Sequence, residues 1–338
     1  MKNQENIIYK NLLEKLKILI NGNVNTNEIK QLLVEIDNII SNISVSVFDE
    51  DFLLPFYMLL EKKMENSIIG EELINGYLTN KEKLPSSLLM YFYMKQKDKM
   101  GFKDSYNRFK IGNKYIACTD HYDDKYMYFN FEYHVQNYPI NDEFNYQCME
   151  NIMHEIVHIY QFSIKPNSEN IYDKLIYNDR QLWELSNEAG IMNYGALHDE
   201  YLIEHQANVW SRHFMVLFAK KQTNYFNASF VEKKTNEFLK KLNRNFNYGG
   251  QRKVFPLIMK NAIGFAQDIL SEEERGPKFE DNKKRIEELL ANNIYLTTYI
   301  KNNPDVQELD RHIYLGFESY SLEEIEKMFC LQQRSIAK

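Results

Sequence analysis

The sequence contains few of the residues that interrupt or cross-link a chain. It has only 12 glycines and 7 prolines among 338 residues, and this scarcity excludes collagen-like and linker-dominated chains. Its three cysteines, Cys118, Cys148 and Cys330, lie far apart and form no CxxC pair. We therefore expect neither a disulfide framework nor a zinc site built from thiolates.

Long hydrophobic runs are also lacking. No stretch approaches the roughly 18 apolar residues of a membrane-spanning helix, and residues 1–20 carry lysine and glutamate between their apolar positions, unlike a cleavable signal peptide. The sequence therefore predicts a cytoplasmic protein without a membrane span, although an effector exported without a cleavable signal has the same pattern. The 48 acidic against 41 basic side chains, a net charge of −7, argue against nucleic acid as a partner.

Hydrophobic residues nevertheless make up 44% of the chain, enough for a folded core. Apolar side chains mostly recur at three- and four-residue spacing, which predicts amphipathic helices. Residues 108–119 and 125–135 instead alternate polar and apolar side chains, so we expect two or three strands of a small antiparallel sheet. The helices predicted from the spacing cover residues 4–20, 28–40, 48–65, 86–99, 142–162, 198–221, 229–246, 254–270, 283–300 and 322–331.

This order of elements predicts a predominantly helical α+β fold in three regions. Residues 1–105 form a helical N-terminal region, residues 106–225 form a mixed core, and residues 226–338 form a helical C-terminal lobe. No internal repeat and no low-complexity linker separates them. The chemistry-bearing motifs all fall in the mixed core.

The first motif is His154-Glu155-Ile156-Val157-His158, inside a predicted helix. Side chains four residues apart lie on one face of a helix, so the two histidines point the same way. Two neutral imidazoles on one face supply two positions of a tetrahedral metal site. Glu155 lies beside them, where its carboxylate is placed to take a proton from a water activated by the metal.

A later predicted helix offers the third ligand. Glu204 and Asn208 are four residues apart, so Glu204 can bind the metal while Asn208 hydrogen-bonds a ligand histidine from behind. Ala207 is small and permits close approach of the two helices. Three histidines recur along this helix and are interpreted as core or surface residues rather than a second metal site: His198, His205 and His213. The residues that compete with Glu204 for the third position are Glu184, Glu188, Asp199, Glu200 and His205.

The HExxH motif and the later Glu204-x-x-Ala207-Asn208 together resemble the gluzincin branch of the zinc metallopeptidases. The resemblance implies a zincin-like metallopeptidase core at residues 106–225, with the small antiparallel sheet packed on the HExxH helix and helical lobes on either side. It also implies a Zn²⁺ cofactor held by the two motif histidines and Glu204. Glu155 would be the catalytic general base, and Asn208 would orient a ligand histidine.

Two positions distinguish this sequence from related patterns. The histidine ligand of metzincins is absent, because Gln161 and Ile164 occupy the glycine and histidine positions of that longer motif, which favours a carboxylate as third ligand. Many gluzincins carry aspartate at the position of Asn208. An asparagine there accepts a hydrogen bond but brings no charge.

The resemblance further implies a hydrolase, a zinc metalloendopeptidase that cleaves peptide bonds in a protein or peptide substrate. Large helical flanks around a cleft suit narrow specificity, as in an intracellular or effector-like protease. The alternative hypothesis is a non-hydrolytic zincin-fold module that binds a metal or a protein partner. The spacing selects none of the side chains that could stabilise the oxyanion, which are Tyr194, Tyr248, Arg252 and His312.

Overall fold

The structure is a computed structural model. It describes residues 69–102, 105–106, 108–111, 115–121, 125–191, 198, 201–222, 225–245, 248–275 and 277–303, together with isolated helical positions between residues 11 and 35. The helices predicted at residues 48–65 and 322–331, and most of those at 4–20 and 28–40, lie outside the described residues.

Within these ranges the chain is mainly helical with one small sheet, which confirms the predominantly helical α+β class. The elements in chain order are α1 (Ile69–Thr79), α2 (Ser86–Lys99), β1 (Arg108–Ile111), β2 (Ala117–Thr119), β3 (Tyr126–Phe129), α3 (Phe131–Asn137), α4 (Asn141–Ser163), α5 (Ile171–Glu188), α6 (Leu202–Lys221), α7 (Ala228–Asn245), α8 (Tyr248–Ile269), α9 (Glu272–Arg275) and α10 (Phe279–Asn302). Helix α5 was not predicted from the sequence.

The sheet has the strand order β1-β3-β2. Strands β2 and β3 pair antiparallel, with Thr119 opposite Met127, as the sequence predicted. Strand β1 pairs parallel to β3, with Arg108 opposite Tyr126, so the sheet is mixed, and the predicted antiparallel pairing holds for β2 and β3 but not for β1. Alternation along a strand defines which face is buried but carries no information about the direction of its neighbour.

The predicted strand at residues 125–135 was half wrong, because the chain turns into helix α3 at Phe131. Asn130 is the N-cap of this helix, and its side-chain oxygen accepts a hydrogen bond from the backbone N–H of Tyr133 at 2.8 Å. Glu132 lies in the first turn, where the helix dipole favours an acidic side chain. This local capping outweighs the alternation of Tyr and Phe that indicated a strand.

The described chain forms two compact units that divide within α4. The first contains the residues up to Ile156 together with Leu217–Val231, and the second contains Val157–Val216 and the residues from Glu232. The three-region division drawn from the sequence stays a prediction.

The first unit is built around the sheet and helix α2. Met127 and Phe129 point from β3 into its core and are almost fully buried. The buried ammonium of Lys97 donates hydrogen bonds to the carbonyls of Phe102 and Ser105 at 2.8 and 2.9 Å. A buried charge that satisfies loop carbonyls in this way holds the connection between α2 and β1 in place.

In the second unit, α5 packs along α10 and also holds the ends of two other helices. Arg180 donates to the carbonyl of Phe162 at 3.0 Å, at the end of α4. The neighbouring Asp179 accepts a hydrogen bond from the backbone N–H of Ile203 at 3.0 Å, in the first turn of α6. Both contacts satisfy backbone groups that lack a partner inside their own helix.

Candidate metal centre

The HExxH motif lies in the C-terminal half of α4. Ile152, Ile156 and Ile159 are fully buried on its apolar sides, so packing determines how the helix is rotated about its axis. His158 is buried and His154 is half-buried on the remaining face. This is the arrangement that the four-residue spacing predicts.

His154, His158 and Glu204 form a cluster in which each residue offers one ligand atom and these atoms all lie within 4.8 Å of one another. His158 Nε2 and Glu204 Oε1 are 3.5 Å apart. Metal–ligand bonds of about 2.0–2.2 Å in a tetrahedron place two ligand atoms about 3.3–3.5 Å apart, whereas an N–H···O hydrogen bond is normally about 2.7–3.2 Å long. Two imidazoles and one carboxylate form a donor set that can hold a metal ion.

Glu155 is buried next to the cluster and is not part of it. Its carboxylate Oε2 accepts a hydrogen bond from the hydroxyl of Thr119 at 2.8 Å, and the same hydroxyl lies 3.2 Å from the backbone carbonyl of Glu155. Thr119 is the last residue of β2. The sheet therefore contacts the HExxH helix at the residue predicted to be the general base.

Glu204 is held by the start of its own helix. It is the third residue of α6 and is almost fully buried. Asp179 binds the N–H of the preceding residue, Ile203, and the N-terminal turn of a helix favours a negative charge. The position of this carboxylate is thus determined by the capping of α6 rather than by local sequence alone.

Gln161 joins the site, and its contacts were not predicted from the sequence. It lies one turn after His158, and its side-chain oxygen contacts His158 Nδ1 at 2.8 Å. Its side-chain nitrogen donates to the carbonyl of Ile203 and to Gln206 Oε1, both at 2.8 Å. The three-residue spacing from His158 was a usable signal, since residues three apart lie side by side on a helix.

His198 also reaches the cluster. Its Nε2 lies 3.5 Å from Glu204 Oε1, and 53% of its side chain is exposed. The sequence placed His198 among core or surface histidines. The other two histidines of that group lie on α6, where His205 is half-buried and His213 is buried against the ring of Phe238.

Two predicted competitors for the third ligand position lie on α5, outside the cluster. Glu184 is part-buried beside Arg180, and burial is the main reason that its pKa is raised, while Arg180 opposes the shift. Glu188 accepts a hydrogen bond from Asn282 at 3.1 Å. Asp199 and Glu200 lie outside the described residues.

The remaining predicted site residues are placed as follows. Asn208 lies one turn after Glu204 on α6, is half-buried, and accepts a hydrogen bond from Ser211 at its backbone carbonyl. Its role in orienting a histidine stays a prediction. The oxyanion candidates Tyr194 and His312 lie outside the described residues. Only the backbone is described for Tyr248 and Arg252, which lie in α8.

Comparison with known proteins adds no assignment. No protein-family model matches the chain, and no curated protein and no solved structure matches it. The gluzincin resemblance therefore depends on the motif residues alone. In the part of the chain that the structure describes, no helix combines the length and the apolar character needed to cross a membrane.

Proposed function

We propose that the protein is a zinc-dependent metallopeptidase with a zincin-like core. The observation that carries the proposal is the cluster of His154, His158 and Glu204, whose donor atoms lie within 4.8 Å of one another. Catalytic zinc sites use three protein ligands of this kind and keep one position open for water or substrate. The position of Glu155 next to the cluster supports hydrolysis rather than metal storage.

In this mechanism the metal activates the water and the carbonyl, and Glu155 transfers the proton. Zinc bound here would lower the pKa of water to about 7 and polarise a peptide carbonyl. Glu155 takes a proton from the attacking water as its oxygen adds to the carbonyl carbon. Glu155 then delivers the proton to the leaving nitrogen as the C–N bond breaks. Since Thr119 engages Oε2, we assign the proton transfer to Oε1.

The substrate class is a protein or peptide, and Glu155→Gln separates hydrolysis from metal binding. Wild-type protein should bind one equivalent of zinc by elemental analysis and should cleave members of a panel of denatured proteins. His154→Ala should lose the metal. Glu155→Gln should keep the metal and lose cleavage, whereas the control Glu150→Gln, on the same helix and outside the cluster, should keep both.

Two results would overturn the proposal. Absence of stoichiometric zinc after supplementation would remove the metal site itself. Zinc in the wild-type protein without cleavage of any panel member would instead favour the non-hydrolytic metal-binding module. Cleavage that Glu155→Gln leaves intact would show that Glu155 is not the general base.

A further inference from the structure

The amide of Gln161 has only one orientation that satisfies its surroundings. A backbone carbonyl can only accept a hydrogen bond, so the group that faces Ile203 O at 2.8 Å must be the side-chain NH₂. The same NH₂ donates its second hydrogen to Gln206 Oε1. The amide oxygen of Gln161 therefore faces His158 Nδ1, and this assignment follows from the neighbours rather than from the appearance of the amide.

This orientation determines the tautomer of His158. The amide oxygen of Gln161 can only accept, so Nδ1 of the neutral imidazole carries the hydrogen. Nε2 then keeps its lone pair, and it is Nε2 that lies 3.5 Å from Glu204 Oε1. A neutral imidazole with hydrogen on Nδ1 is the form that binds a metal through Nε2.

The same side chain also connects the elements that carry two of the ligands. Gln161 follows His158 by one turn of α4, and its acceptor Ile203 immediately precedes Glu204 on α6. Gln161 is fully buried, so water does not compete for these contacts. One amide thus hydrogen-bonds both the imidazole of His158 and the backbone carbonyl of the residue before Glu204.

We propose that Gln161 is a positioning residue of the metal site, which holds His158 in the metal-binding tautomer and fixes its distance from Glu204 before any metal binds. The role assigned to Gln161 rests on the proposed metal centre, but the tautomer of His158 can be measured in protein without metal. Loss of a partner that orients a ligand histidine typically weakens metal binding about 10- to 100-fold.

The test compares Gln161→Met with Gln147→Met, both in the full chain. Methionine has nearly the length of glutamine but cannot accept from Nδ1 or donate to Ile203. Gln147 lies on the same helix, and its amide donates to Asn151 at 2.9 Å, away from the cluster. The Gln147→Met variant therefore controls for the loss of a glutamine hydrogen bond on α4.

The primary measurement is ¹⁵N NMR of the histidine rings in metal-free protein. His158 should carry its hydrogen on Nδ1 in the wild type and in Gln147→Met, and Gln161→Met should shift the population towards hydrogen on Nε2. In a zinc competition titration, the dissociation constant should rise about 10- to 100-fold for Gln161→Met and stay unchanged for Gln147→Met.

The outcomes separate this inference from the proposed function. A wild-type His158 with hydrogen on Nε2 would overturn the role of Gln161 even if Gln161→Met fails to fold. An unchanged tautomer and unchanged zinc affinity in folded Gln161→Met would overturn it as well. If the wild-type protein binds no zinc but shows hydrogen on Nδ1, the proposed metallopeptidase fails while the orienting contact stands.

Discussion

Asp179→Ala tests whether the position of Glu204 depends on the capping of α6 by a different helix. Asp179 is only 3% exposed, and its carboxylate accepts a hydrogen bond from Ile203 N–H at 3.0 Å. The substitution removes this acceptor and leaves a buried backbone donor without that partner. An N-cap substitution costs about 0.5–2 kcal/mol and an unsatisfied buried donor about 1–3 kcal/mol, so we expect a loss of about 2 kcal/mol.

The expected loss is large enough to measure. For a chain of 338 residues, whose unfolding entropy is about 2.1 cal/mol/K per residue, about 2 kcal/mol lowers the melting temperature by roughly 3 °C. Differential scanning calorimetry and urea unfolding on metal-free protein give the two quantities independently. Asp179→Asn keeps an acceptor of the same shape, so it should recover most of the loss. The exposed Glu287 on α10 supplies the surface control Glu287→Ala, with a change within about 0.5 kcal/mol.

The metal site gives a second measurement of the same contact. Because α6 starts only two residues before Glu204, fraying of its first turn should weaken zinc binding in Asp179→Ala more than in Asp179→Asn. The reasoning would be refuted if Asp179→Ala unfolds like the surface control. It would also be refuted if Asp179→Asn is as unstable as Asp179→Ala, since the acceptor would then not be the stabilising feature.

Three further predictions address the first unit. Thr119→Val should leave zinc affinity unchanged but lower the rate of peptide hydrolysis about 10- to 100-fold, because Glu155 loses its hydrogen bond and its position; a wild-type rate constant would contradict this, and Thr119→Ser should behave as wild type. Burial lowers the pKa of His134, while its bond to a backbone carbonyl opposes the shift. The free energy of unfolding should therefore be highest above the unfolded pKa of His134, about 6.5, and should fall by up to about 1.4 kcal/mol as the pH drops by one unit below that value. Urea unfolding at several pH values should show this decrease in the wild type and not in His134→Gln. Lys97→Met should cost about 2–3 kcal/mol in urea unfolding, because the buried carbonyl of Phe102 and the part-buried carbonyl of Ser105 lose a charged donor; a loss below about 0.5 kcal/mol would contradict this account.

Local patterns in the sequence were sufficient for the helices that carry the motif. Apolar spacing predicted helices at residues 142–162 and 198–221, and the structure has α4 and α6 there. The spacing of His154 and His158 is a property of one helix, so no tertiary information was needed to place them on one face. Glu204 required the second helix, and the sequence left five competitors open.

Helix α5 was missed, and its buried face is partly polar. Asp173, Asn178, Asp179 and Ser186 are buried on it alongside the apolar residues, and they interrupt the stripe that an amphipathic helix normally shows. Each such polar side chain is acceptable inside the protein only where it finds a partner. A partner from the folded chain is the backbone N–H of Ile203, which donates to Asp179 at 3.0 Å. The apolar residues Tyr172, Leu175, Ile176, Leu182 and Leu185 still recur at helical spacing, so the sequence carried a usable signal for this helix.

The missed helix is also the one that holds the ends of the site helices. Asp179 and Arg180 are consecutive residues of α5 with opposite charges, and each contacts the end of another helix whose partial charge is opposite to its own. Arg180 contacts carbonyls at the C-terminal end of α4, and Asp179 contacts an N–H at the N-terminal end of α6. Helix ends carry partial charges of opposite sign, negative at the C-terminus and positive at the N-terminus.

The proposed ligand residues His158 and Glu204 are therefore related by contacts that involve no metal. Gln161 connects the α4 turn to the residue before Glu204, and α5 satisfies the adjacent ends of α4 and α6 with one acidic and one basic side chain. A site held in this way differs from a zinc finger, in which metal binding itself supplies the folding energy. Since the second unit buries a core of its own around α5 and α10, the geometry of these two ligands follows from the fold. A metal ion would then bind to an arrangement that already exists, so its removal should abolish hydrolysis without unfolding this unit.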